Sequence, residues 1–192
     1  MSVLIKASQV IGLPVVTLGG DDVAEVRDVV YDPAQGKLIG FTLNARGWLG
    51  RRMKDSLSWS GVVALGPDAV MIRDESELAA TDEATPALSE PPTDRNVLGD
   101  AVLTDEGVQL GMVSDIIVET GERAEVVGYE IEDKSGDAKR AGPRFLPLPQ
   151  QLAVSGDALL VPATVEPFLR DDLAGFGAAV DDFRELLGGG AT

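Results

Sequence analysis

The sequence predicts an all-β fold class: two small SH3-like β-barrels in tandem, plus a C-terminal amphipathic α-helix. Three observations predict it. A block of about 65 residues occurs twice, each copy breaks into short Val-rich runs punctuated by Gly, Pro and Asp, and after Pro167 the apolar period lengthens to that of a helix.

The repeat is legible residue by residue. At an offset of 87, Val10, Gly12, Val15, Thr17, Gly20, Val26 and Asp28 meet Val97, Gly99, Val102, Thr104, Gly107, Val113 and Asp115. The offset grows by one inside the turn at Asp32-Pro33-Ala34-Gln35-Gly36, after which Ile39-Gly40-Phe41 meets Val127-Gly128-Tyr129. Leu57-Ser58-Trp59 then meets Leu146-Pro147-Leu148, and Asp68-Ala69-Val70-Met71-Ile72 meets Asp157-Ala158-Leu159-Leu160-Val161. Length changes confined to turns are what a duplicated fold tolerates. Aligned apolar positions imply aligned inward faces, because a strand alternates sides at every residue.

Within each copy the runs predict five strands, at 13–18, 24–31, 37–44, 56–60 and 69–73, then 100–104, 111–119, 124–132, 144–148 and 158–162. Five strands in so short a chain suit a closed barrel, since closure removes exposed edges. The predicted domains are 1–75 and 96–163, joined by a Pro-rich acidic linker at 76–95 that buries nothing.

A helix is predicted over 164–188. Leu169, Leu173, Phe176, Val180, Phe183 and Leu187 form one stripe, Pro167 suits the first turn, and Gly188 suits the stop. Glu166 and Arg170 have i,i+4 spacing, while Gly175 and Gly177 predict a kink. The stripe leaves two expectations, packing on its own barrel or a homodimer through the same helix of a second subunit. Asp171, Asp172, Asp181, Asp182 and Glu185 on the polar face argue against a membrane surface.

The order of elements resembles the PRC-barrel family. It comprises an apolar-Gly turn (Ile11-Gly12, Leu98-Gly99), a Val-x-Asp strand (Val26-Arg27-Asp28, Val113-Ser114-Asp115), an apolar-Gly-aromatic strand (Ile39-Gly40-Phe41, Val127-Gly128-Tyr129) and a Leu-x-Trp-like segment (Leu57-Ser58-Trp59, Leu146-Pro147-Leu148). The resemblance covers both copies, but neither the linker nor the helix. It implies a PRC-type barrel used as an interaction module. Relatives include the cytoplasmic domain of the photosynthetic reaction-centre H subunit and a ribosome-maturation factor. No catalytic residue is shared, so none is transferred.

Composition narrows the chemistry. The chain has no Cys and no His, which removes disulfides, thiolate nucleophiles, sulfur or imidazole metal ligands and the commonest neutral-pH base. None of the adjacent acids, Asp21-Asp22, Asp105-Glu106, Glu132-Asp133, Asp171-Asp172 or Asp181-Asp182, follows calcium-loop spacing. Gly175-Phe176-Gly177 lacks the third Gly of a dinucleotide loop. No catalytic residue, metal or cofactor is therefore expected. No membrane span and no secretion signal are expected either, which makes the cytoplasm the expected location.

Net charge is −16, which opposes nucleic acid as a partner unless a local basic patch overcomes it. Such a patch is the one candidate site. Arg46, Arg51, Arg52 and Lys54 follow the third strand of the first copy, and Lys134, Lys139, Arg140 and Arg144 occupy the equivalent loop of the second. These are eight of the sixteen basic residues, so with Asp55 and Asp137 each loop sums to +3 and the rest of the chain to −22. Trp48, Leu49 and Met53 add the apolar matter common at interface hot spots. Asp28 and Asp115, equivalent in the two copies, are read as acceptors for main-chain N–H groups of the adjacent turn. The expected function is a non-catalytic protein-binding adaptor with an unidentified protein partner. The alternative is an RNA- or ribosome-associated factor using the basic loops. An accessory subunit at a membrane complex rests on the family resemblance alone.

Overall fold

The computed structural model describes residues 3–32, 36–45, 56–79, 97–121, 124–132, 142–148, 153–155 and 158–189. The chain divides into two compact units, Met1–Arg95 with Thr120–Glu125, and Asn96–Glu119 with Val126–Thr192.

The first unit opens with β1 (Val3–Lys6) and a single helical turn, α1 (Ala7–Val10), neither anticipated from sequence. β2 (Pro14–Thr17), β3 (Asp22–Asp32), β4 (Lys37–Ala45), β5 (Ser56–Ser58), β6 (Val62–Leu65), β7 (Val70–Ile72) and β8 (Leu78–Ala79) follow. β3 pairs antiparallel with β2 and β4, and β4 with β5. β5 continues through the 3-10 turn Trp59–Gly61 into β6. β6 pairs with β7, and β7 runs parallel to β2 through Val15↔Val70 and Thr17↔Ile72. Through that turn the strand order comes back to β2, so the sheet curls as a barrel does.

The second unit repeats the strand order with β9 (Ala101–Thr104), β10 (Gln109–Thr120), β11 (Glu125–Glu132), β12 (Pro143–Pro147), β13 (Ala153–Ser155) and β14 (Ala158–Val161). β14 is parallel to β9 through Val102↔Leu159 and Thr104↔Val161, which are the positions of Val15↔Val70 and Thr17↔Ile72. Likewise Gly40↔Ser58 and Phe41↔Leu57 recur as Gly128↔Pro147 and Tyr129↔Leu146.

The inward positions are also paired. Val15 and Val102, Val26 and Val113, Phe41 and Tyr129, Leu43 and Ile131, Leu57 and Leu146, Val70 and Leu159, and Ile72 and Val161 are all buried. With few aromatics, each barrel is filled by β-branched residues and leucine around one ring. Turns match too: Gly12 N–H donates to Val26 O and Gly99 N–H to Val113 O, each at 2.8 Å, with φ near +90° that suits Gly alone.

Four expectations change. The segment from Ser76 to Ala79 belongs to the first unit: Asp74 Oδ1 accepts from Ser76 N–H to open the 3-10 turn Glu75–Glu77, and β8 then pairs with β5 and buries Leu78. Residues 80–95 of the predicted linker lie outside the described residues. The predicted 164–188 helix starts later, as the helix α2 (Leu173–Gly189). Residues 163–168 form 3-10 turns, and Arg170 makes a two-way main-chain bridge with Phe145 (2.7 and 3.1 Å). Pro167 ends one local structure, and Asp172 caps the next by accepting from Gly175 N–H at 2.7 Å. The Arg170 guanidinium donates to the Pro167 and Leu169 carbonyls, where pairing with Glu166 was expected. Finally, α2 runs as one helix through Gly175 and Gly177, where a kink was expected. Its packing supplies the reason.

Phe176, Ala179, Val180 and Phe183 are buried against the second barrel. Phe176 lies 5.7 Å from Phe145 (ring centroids) and directly over Gly128, where a Cβ would come within 2.5 Å of its ring. Phe183 stacks on Phe168 at 5.1 Å, and Arg184 reaches Glu119 at 3.6 Å. The helix thus covers the outer face of β11 and β12, while Leu146 and Tyr129 fill the inside. Of the two expectations for the apolar stripe, packing on the chain's own second barrel is the one these contacts match. No helix among the described residues is long and apolar enough to cross a membrane.

Candidate functional site

The two basic loops spring from equivalent points. In the first copy the loop leaves the end of β4 and returns at β5, whose outermost pair is Thr42↔Ser56. In the second it leaves β11 and returns at β12, rooted by Glu132↔Pro143. The candidate residues Arg46, Trp48, Arg51, Arg52, Lys54, Lys139 and Arg140 lie outside the described residues, as does Lys134.

Arg144 is described, and it is not a loop residue. It is the second residue of β12, opposite Ile131, on the side of the strand that faces into the barrel. Its Nη2 donates to the carbonyl oxygen of Leu110 on β10, and its Nε is buried. A long stem that fills the barrel end, with its head on a main-chain carbonyl, makes this arginine part of the fold. Spacing alone grouped it with Lys139 and Arg140. The register of β12 separates them.

The equivalent acids Asp28 and Asp115 play one local role. Each carboxylate accepts the N–H of the next residue in its own strand at 2.8 Å, Val29 in one copy and Ile116 in the other. In the first copy this occurs at a register shift between Val26 and Asp28, where the bulge turns one N–H out of the ladder. The expectation of a main-chain acceptor holds, with the donor in the strand and not in the turn. The surroundings differ: Asp28 is exposed and Asp115 is buried.

The turns that carry the adjacent acids are fixed by matching bonds, and one of those acids fastens the fold. Thr17 Oγ accepts the N–H of Asp21 at 3.1 Å, as Thr104 Oγ accepts that of Val108 at 3.0 Å. Asp105 Oδ1 accepts the N–H of Ala163 at 2.8 Å, fastening the exit from β14. Among the described residues no three acidic side chains converge to hold a cation.

One feature went unseen in the sequence. Within the first unit a cleft of about 410 Å³ runs beside the Trp59 turn and β6. Trp59 sits edge-on to Phe41, with ring centroids 6.2 Å apart, so its position is tied to the core. The signal was the run Val62-Val63-Ala64-Leu65, too short and too uniformly apolar to separate strand from loop.

Comparison with known families returns one model, described as the PRC-barrel domain, which matches twice, over residues 3–78 and 93–166. No curated protein matches the chain.

Proposed function

The chain belongs to the PRC-barrel family, with two copies of the domain, and from that premise we propose that it is a non-catalytic adaptor that binds another protein through its basic loops. The observation that carries this reading is the gathering of half the cations of a −16 chain into two loops that leave equivalent corners of two equivalent barrels. Solubility needs no such concentration, because net charge alone supplies it. Two cationic loops with Trp48, Leu49 and Met53 in one of them suit an anionic protein surface with an apolar centre.

The test is charge reversal of Arg51, Arg52 and Arg140 to Glu, with Arg144 left in place because it holds the Leu110 carbonyl. The reversed chain should keep its melting temperature and lose a native protein partner, most clearly at low salt, where exposed charges are least screened. Unchanged partner recovery at both 50 mM and 300 mM salt (values chosen to bracket roughly 14 and 6 Å of screening) overturns the reading. Salt-sensitive retention on RNA, abolished by the same reversal, replaces the protein partner with a nucleic acid.

A further inference from the structure

We draw no further inference here: the strongest candidate, the cleft of about 410 Å³ between β6 with the Trp59 turn and Val3, Thr120 and Gly121 in the first unit, is lined among the described residues by no ionisable side chain that would select a class of ligand, and nothing in the structure shows what covers it.

Discussion

The two barrels are copies in their hydrogen bonds and differ in what covers them. Position for position, the turn at Gly12 repeats at Gly99, the parallel ladder at Val15 repeats at Val102, and the inward ring repeats through seven residue pairs. On the outside, the second copy carries α2 over Gly128 and Phe145, and its repeated acid Asp115 is buried where Asp28 is exposed. One ladder accepts two exteriors. Inward residues are fixed by the closure of the barrel, whereas outward residues answer only to their neighbours, so that is where duplicates diverge.

The comparison can be broken by experiment, because both tryptophans, Trp48 and Trp59, belong to the first copy. Tryptophan fluorescence reports the first unit and far-UV circular dichroism reports both. The largest expected effect is Phe176→Ala. Removing this fully buried ring should cost about 3–5 kcal/mol and lower the dichroism transition, while the fluorescence transition stays put. A matching drop in fluorescence would mean that the helix serves both units. Next comes the repeated acid. Asp115→Ala leaves the Ile116 N–H without its acceptor in a buried setting and should cost about 1–3 kcal/mol. Asp28→Ala, where water can replace the carboxylate, should cost about 0.5 kcal/mol or less. Equal losses in chemical denaturation would show that the exteriors are alike after all.

A smaller effect sharpens the helix boundary. Asp172→Ala removes the cap on Gly175 N–H and should cost about 1 kcal/mol, confined to the second unit. If a carboxylate-free start at Pro167 were the true one, the substitution would be silent. Comparable in size to the Asp172 effect or smaller, and of opposite sign, is Gly175→Ala. A Cβ there meets its nearest atom at an ordinary 3.5 Å, so the methyl fits and should stabilise by about 0.4–1 kcal/mol through the unfolded chain. A loss would reveal a constraint on Gly175 beyond its immediate neighbours.

How much of this was legible follows from the same division. Strand alternation and repeat alignment located the inward residues, because only one face of a small barrel fits Val15, Phe41 and Leu57, and a duplicated pattern tests itself. The short edges were not legible. β6 and β8 are apolar runs of two to four residues, and β1 and α1 are held by tertiary context more than by propensity. The start of α2 was misplaced because Pro167 and Asp172 are both good first-turn signals, and the Arg170–Phe145 bridge that decides between them is a contact across the fold. Arg144 misled for a related reason. Its charge grouped it with a loop, whereas its register in β12 turns it inward, and register is a property of pairs of strands that no single strand states.

The parallel ladders that complete each barrel carry a kinetic consequence. Val15 meets Val70 and Val102 meets Leu159, so the last seam in each copy joins residues 55 and 57 positions apart. Every other pairing in the ring is between neighbours along the chain. Hairpins zip early, but the seam must wait for a long loop to close before any contact repays that lost freedom. Each barrel is therefore expected to fold on the order of milliseconds to seconds, with seam formation as its slow step. Until it closes, the apolar lining of Val70, Ile72, Leu159 and Val161 faces water. Duplication doubles that interval of exposure within a single chain. In that interval, the mutual repulsion of molecules carrying sixteen surplus negative charges keeps half-closed chains apart.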